Sequence, residues 1–257
     1  MDNGVSGGGQ MNKLLGNKFT YQSYGLTNQG CVRDHNEDAF LDSAEKGFWA
    51  VADGAGGHES GDVASNLIVD TLSKIERDRF FGSFVQKLTD SLQNINCQLI
   101  EKSGGEETKT LIASTACILI AQRSNVVCLW SGDSRIYQQR DHKLTQLTRD
   151  HNRVDEFIEA GFTRADAEKH PQAQYLTAAI GVISPLFTET QRIEVMSEDI
   201  YLLCSDGLFK EISDEEIEEI LQQNSLKYMA SDLMDLALSR MARDNVTVLL
   251  VKVTTNE

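Results

Sequence analysis

Apolar residues follow two rhythms along this chain, and the rhythms divide it into strands and helices. A strand-like pattern runs from Phe19 through Tyr24, returns over Ala39 to Leu41, and becomes continuous in Phe48 to Ala52, which leads into an Asp53-Gly54 turn. Helical spacing follows. Asp62 is placed to start a helix whose stripe is Val63, Leu67, Ile68, Leu72 and Ile75, and Phe84, Leu88, Leu92, Ile95 and Leu99 repeat that spacing on a second helix. Between Ser114 and Leu147 the runs TACILIA, VVCLW, RIYQQ and KLTQL are separated by RSN, SGD and RDH, which predicts an antiparallel meander. Val154 to about His170 reads as a polar helix ended by Pro171. Later helices are expected over Asp214 to Gln222, with Ser213 as N-cap, and over Tyr228 to Ala242, before a last strand VTVLLVKV. Residues 1–18, rich in Gly, Asn and Ser and without periodicity, predict a flexible leader to a folded domain over 19–257. No internal repeat or Pro-rich linker divides that domain, so an α+β body in one piece is expected.

Three of the apolar runs share one punctuation. FWAVADG stops at Asp53, IYLLCSDG stops at Asp206, and Asp244 stands just before the run that opens at Val246. Each reads as a buried strand that presents a carboxylate at one tip. Singly, an Asp-Gly pair is an ordinary turn former. Together, carboxylates at separate strand tips suit a hard divalent cation, which takes oxygen ligands, keeps several waters and needs no His or Cys cluster. The acidic run Asp214, Glu215, Glu216, Glu218 and Glu219 reads as a solvated helix face without a function.

Composition narrows the picture. A chain of 257 residues, 40% hydrophobic and with two prolines, is long enough for one domain with a full core. Its net charge of -15, from 39 acidic residues, opposes binding to nucleic acid or to an anionic membrane, and neither is expected as a partner. None of the five cysteines forms a CxxC pair, and Cys117, Cys128 and Cys204 sit in apolar runs, which suits a reducing compartment. No basic-then-apolar signal pattern opens the chain, and the run near Ala116 to Ala121 is far short of the roughly 20 residues that span a bilayer. A cytoplasmic monomer is the expectation.

Arg33-Asp34-His35-Asn36-Glu37-Asp38, Asp53-Gly54-Ala55-Gly56-Gly57-His58, Gly132-Asp133-Ser134-Arg135, Ser205-Asp206-Gly207 and Asp244-Asn245, in that order, resemble the protein phosphatase 2C family of metal-dependent serine/threonine phosphatases. Leu147-Thr148-Arg149-Asp150-His151 and His170-Pro171 followed by Leu176-Thr177 resemble the flap region of its bacterial members. The resemblance implies a four-layer αββα sandwich, two antiparallel sheets flanked by helix pairs. It also implies hydrolysis of phosphoserine and phosphothreonine by a water activated between two Mn²⁺ or Mg²⁺ ions, without a phosphoenzyme. In that reading Asp53 bridges the ions, the Gly54 carbonyl ligates one, and Asp206 and Asp244 hold the other. Asp133 joins Asp206 at a third, weaker ion, although taken alone it is also an Asx-turn residue. Glu37 and Asp38 orient waters around the ions, and Arg33 takes the phosphate, because its planar fork suits two phosphoryl oxygens. The implied partners are phosphoproteins of a bacterial serine/threonine kinase pathway, by analogy one controlling a secretion system or cell-wall growth.

Two departures bear on mechanism. Many eukaryotic members carry a His straight after the Asp-Gly pair, as donor to the leaving alkoxide, and here that position is Ala55; bacterial members often lack it too, which implies a metal-bound water as the donor, with His58 and His35 the weaker substitutes. Ala178-Ala179 follow Leu176-Thr177 where many bacterial relatives place an arginine, which implies altered flap contacts. These departures motivate an alternative, a catalytically silent phosphoprotein-binding module of the same fold. A two-metal nuclease is a third class, disfavoured by the negative charge.

Overall fold

Burial along the strand Phe48–Gly56 sets the architecture. Phe48, Ala50 and Ala52 face one core and Trp49 and Val51 another, and all five are buried, so the sheet that holds them is covered on both faces. The strand Ile200–Cys204 does the same, with Tyr201 and Leu203 on one face and Ile200, Leu202 and Cys204 on the other. Trp49, Val51, Tyr201 and Leu203 meet in a single core between two sheets.

The computed structural model describes residues 5–6, 18–56, 60–104 and 111–255. His58, and the expected leader save for Val5, Ser6 and Lys18, lie outside the described residues. In chain order the elements begin with β1 (Val5–Ser6), β2 (Phe19–Asn28), β3 (Asp38–Ser43) and β4 (Phe48–Gly56), then α1 (Gly61–Ser73) and α2 (Phe81–Lys102). Next come β5 (Ile112–Ser114), β6 (Ala116–Gln122), β7 (Asn125–Ser131), β8 (Arg135–Arg140) and β9 (Lys143–Gln146), then α3 (Val154–Glu159) and α4 (Arg164–Lys169). The chain closes with β10 (Glu189–Glu194), β11 (Ile200–Cys204), α5 (Asp206–Phe209), α6 (Asp214–Ile220), α7 (Leu226–Ser239) and β12 (Val246–Thr255).

One sheet has the order β1-β2-β12-β11-β8-β9 and the other β10-β7-β6-β4-β3, with β5 against the end of β4. Helices α1 and α2 cover the second sheet through Ile68, Leu72, Phe84, Leu88 and Leu92. On the first sheet, α5 to α7 bury Leu208, Ile217, Met229 and Leu233. The result is the four-layer α+β sandwich that the family resemblance implies.

Several expectations change in detail. Residues 114–147 do form strands, but not one meander: β6 and β7 lie in one sheet, β8 and β9 in the other, and the chain crosses between them at Gly132-Asp133-Ser134. Gly132 has φ +109, and a Cβ there would lie 2.5 Å from Thr115 Cβ, so only glycine turns the chain out of the sheet at this point. Asp53-Gly54 is not a turn, because β4 continues past it and pairs Gly54–Gly56 with β5. The polar helix expected to His170 is two short ones, since Thr163 caps a new start by accepting from the Asp166 N–H. Val63 faces solvent, and α1 buries Ala64, Ser65, Ile68 and Leu72 instead. Ser213 does cap α6, in a capping box with Glu216. The acidic face behind it is only partly solvated, because Glu216 pairs with Arg240 and Glu218 Oε2 accepts from the Leu144 N–H at 2.6 Å.

Candidate active site

Strand register brings the first two carboxylates together: Asp38, the first residue of β3, pairs across with Asp53 of β4. The Asp53 N–H donates to Thr115 Oγ1 at 3.2 Å, and the Asp53 carbonyl accepts from the Thr115 N–H at 2.8 Å and from Ser114 Oγ at 2.9 Å. Thr115 Oγ1 also lies 2.6 Å from Ser134 Oγ, so one threonine fixes both Asp53 and the crossing that carries Asp133. At Gly54 a Cβ would sit 2.2 Å from the Gly61 carbonyl oxygen and 2.6 Å from that of Glu37. The missing side chain lets β4, the 37 loop and the start of α1 converge.

The other sheet supplies the remaining carboxylates. Asp206 opens α5 directly after β11. Its neighbour Ser205 donates from Oγ to Asp38 Oδ2 at 2.7 Å, and Thr247 Oγ1 donates to the same oxygen at 2.7 Å. Asp38 thus stitches β3 of one sheet to β11 and β12 of the other, while its Oδ1 is buried with no partner. Asp244 precedes β12; its Oδ1 accepts from the Asn245 N–H at 2.9 Å and its Oδ2 from Arg33 Nη2 at 2.8 Å. Asn245 is buried, donates from Nδ2 to the carbonyls of Gln29 and His35, both at 2.9 Å, and accepts at Oδ1 from the Glu37 N–H at 2.8 Å. That amide pins the loop that displays Arg33.

The cluster is short of positive charge. Burial, the largest cause, pushes the Asp38 and Asp133 carboxyls up to about 7; Asp206 adds to both, while the Ser205 and Thr247 hydroxyls pull Asp38 back and Lys210 pulls Asp133 back. Asp53 is driven well above the usual carboxylate range by burial and then by Asp38, Asp206, Asp133 and Asp244. Asp206 is raised by burial and partly relieved by Lys210. The cations set against these acids are Arg33, held charged by its bond to Asp244, and Lys210, whose Nζ bonds Asp206 Oδ2.

Among the described residues no three His, Cys, Asp or Glu side chains form a closed ligand cage. Hard divalent ions do not need one, because they keep several waters and bind through one or two carboxylates. The unpartnered Asp38 Oδ1 and the mutual destabilisation of the buried acids are what a divalent ion would relieve, so these residues fit such a group.

Asp53, Gly54, Asp133, Asp206, Asp244, Arg33, Glu37 and Asp38 therefore gather at one end of the two sheets. Glu37 has a further task, since its Oε1 accepts from the Gly61 N–H at 3.2 Å at the start of α1. His35 is exposed and contributes its backbone carbonyl, and Ala55 is a half-buried strand residue paired with Ala113. Ala178 and Ala179 are buried, so the place after Leu176-Thr177 offers no side chain to a ligand. Sequence reasoning missed Lys210 and the hydroxyls of Thr115, Ser205 and Thr247. Lys210 stands four residues after Asp206, a spacing that becomes a signal only once that stretch is known to be helical.

Comparison with known proteins places this geometry. The protein phosphatase 2C family model matches residues 32–244. "Serine/threonine phosphatase stp" of Listeria monocytogenes serotype 4b is 34% identical over 235 residues, spanning 88% of this chain and 93% of its own. Among solved structures, PppA, a key regulatory component of T6SS in Pseudomonas aeruginosa, is 37% identical with a TM-score of 0.84, covering 91% of this chain and 97% of its own. The catalytic domain of the serine threonine protein phosphatase PstP, in complex with 2 manganese ions, is 30% identical with a TM-score of 0.80, over 92% and 99% of the two chains. With the fold, the ordered acidic motifs and these relatives in agreement, the chain belongs to the protein phosphatase 2C family of metal-dependent serine/threonine protein phosphatases.

Proposed function

We propose that this enzyme removes phosphate from phosphoserine and phosphothreonine in proteins at the Asp38, Asp53, Asp133, Asp206 and Asp244 cluster. The observation that carries the reading is the convergence of carboxylates from both sheets, Asp38 and Asp133 buried and Asp53, Asp206 and Asp244 partly so, beside one half-exposed arginine. Asp53 and the Gly54 carbonyl on one side, with Asp206 and Asp244 on the other, would hold two Mn²⁺ or Mg²⁺ ions, and Asp133 with Asp206 a third, weaker one. When bound, such ions polarise the phosphoryl oxygens and make a coordinated water more acidic.

The chain's own residues do the rest. Arg33, half-exposed and anchored by Asp244, presents its fork to two phosphoryl oxygens and orients phosphorus above the carboxylates. Asp38, locked by Ser205 and Thr247 through one oxygen, keeps the other buried and unpartnered, able to fix a water beside the cluster. Glu37 supports the start of α1. Overall, the bond from water oxygen to phosphorus forms, the bond from phosphorus to the side-chain oxygen breaks, and that oxygen leaves as Ser or Thr with one of the protons the consumed water gives up. Ala55 supplies no such proton.

The folded catalytic unit would span 19–257 and act as a cytoplasmic monomer against a serine/threonine kinase. The name of PppA supports a place in control of a secretion system. No helix among the described residues is long and apolar enough to cross a membrane. Release of phosphate from a phosphothreonine peptide, with Mn²⁺, with Mg²⁺ and with excess EDTA, tests the reading. Activity lost in EDTA and restored by a divalent ion supports it, and folded protein with no turnover in any metal points to a silent binding module.

A further inference from the structure

Lys210 has a place in this site that no motif assigned to it. Helix α5 is a single turn that begins at Asp206, and the i, i+4 spacing lays Lys210 over that residue, with Nζ bonded to Asp206 Oδ2. Its charge also acts on Asp133 and Asp53. Lys210 also lines a cavity of about 820 Å³ between α3–α4 and α5–α6. A second cation in that wall, Arg135, is already committed: Asp150 holds it with bonds of 2.7 and 3.1 Å, and its guanidinium lies 3.6 Å from the centre of the Phe209 ring. Lys210, from the same wall, reaches the cluster through its bond to Asp206.

We infer that Lys210 is a resident counter-cation of the site, its ammonium balancing charge at the Asp206 and Asp133 edge and thereby making the third divalent ion there the weak one. The assignment rests on the metal-dependent reading above. A tethered ammonium is present at all ion concentrations, carries less charge than a divalent ion, and repels one that approaches the same oxygens. Lys210 is thus a positioning residue that limits metal loading at this edge.

The test uses the full chain, stripped of metal, as wild type, Lys210→Gln and Lys210→Arg. Calorimetric titration with Mn²⁺ is expected to give about two tightly held ions for wild type and for Lys210→Arg. Lys210→Gln is expected to take up one more, with its weakest step at least about tenfold tighter than any further uptake by wild type. Without metal Lys210→Gln should melt earlier than wild type, and Mn²⁺ should close the gap, which loss of a merely structural contact would not allow. Equal uptake by wild type and Lys210→Gln, or a lowered melting point that Mn²⁺ leaves in place, overturns the role of Lys210 and leaves the two-ion reading standing. Absence of Mn²⁺ uptake by all three proteins overturns both.

Discussion

Arg33 and Asp244, 211 residues apart in the chain, are joined by a bond of 2.8 Å from Nη2 to Oδ2. The proposed phosphate anchor is therefore held by one of the proposed metal ligands, so phosphate and ion binding are coupled through a single carboxylate. Arg33→Ala should lower kcat/KM on a phosphothreonine peptide by about 10- to 100-fold, the worth of a charge-assisted hydrogen bond pair. Arg33→Lys should recover only part of this, because a point charge cannot engage two oxygens at once. Steady-state kinetics check it, and equal kcat/KM in wild type and Arg33→Ala would remove Arg33 from the site.

Asp53→Asn and Asp206→Asn should each abolish measurable turnover while far-ultraviolet circular dichroism stays that of the wild type. Each substitution also removes a carboxyl group from a crowded acidic cluster in which the charged forms are disfavoured. The metal-free Asp53→Asn protein should accordingly melt at or above the wild-type temperature, with its gain from added Mn²⁺ reduced. Retained activity in both variants would sink the assignment.

Stability of the metal-free protein should fall as pH rises. The Asp38 and Asp133 carboxyls ionise near 7 in the folded state, against an ordinary value of 3.8. Their contribution is fully present below the unfolded value and is lost as pH climbs through the folded one, a window from about 4 to about 7. Bound Mn²⁺ should reverse the trend, since ligand carboxylates must be deprotonated. Urea midpoints at about pH 5 and about pH 8, in EDTA and in Mn²⁺, measure both slopes. A metal-free midpoint higher at the upper pH would contradict the charge assignment.

Asn245→Ala should cost about 2 to 4 kcal/mol, because it strands the Gln29 and His35 carbonyls and the Glu37 N–H together. The same change should lower kcat/KM, since the loop from Gln29 to Glu37 carries Arg33. Chemical denaturation and peptide kinetics read the two effects separately. A full loss of stability with unchanged kcat/KM in the folded fraction would show that the loop positions nothing.

How much of the fold the sequence displays depends on burial. Strands β4, β11 and β12 are legible because most of their length is covered on both faces, which leaves continuous apolar runs with an acid beside each. Helices α1 and α2 are legible by their stripes. Strand β10 was invisible, since Glu189–Glu194 is an edge strand whose side chains are mostly exposed and whose pairing with β7 is made by backbone. The crossing at Gly132-Asp133-Ser134 has hairpin spacing, so the chain leaving one sheet for the other left no mark in the pattern. Four residues are too few to show a helical period, which hid α5 and with it Lys210. Ser205, Thr115 and Thr247 act through contacts between segments distant in sequence, and no local spacing announces those.

Because β3 and β4 carry Asp38 and Asp53 while β11 leads into Asp206 and β12 leads out of Asp244, the site is divided between two sheets that touch through Trp49, Val51, Tyr201 and Leu203. A slip of one sheet over the other by a single residue, about 3.3 Å, would part the two halves. The inter-sheet side chains therefore act as the gauge blocks of the catalytic centre. A methylene added or removed in that interior would register first as a change in how well the two halves meet, even where the protein stays folded.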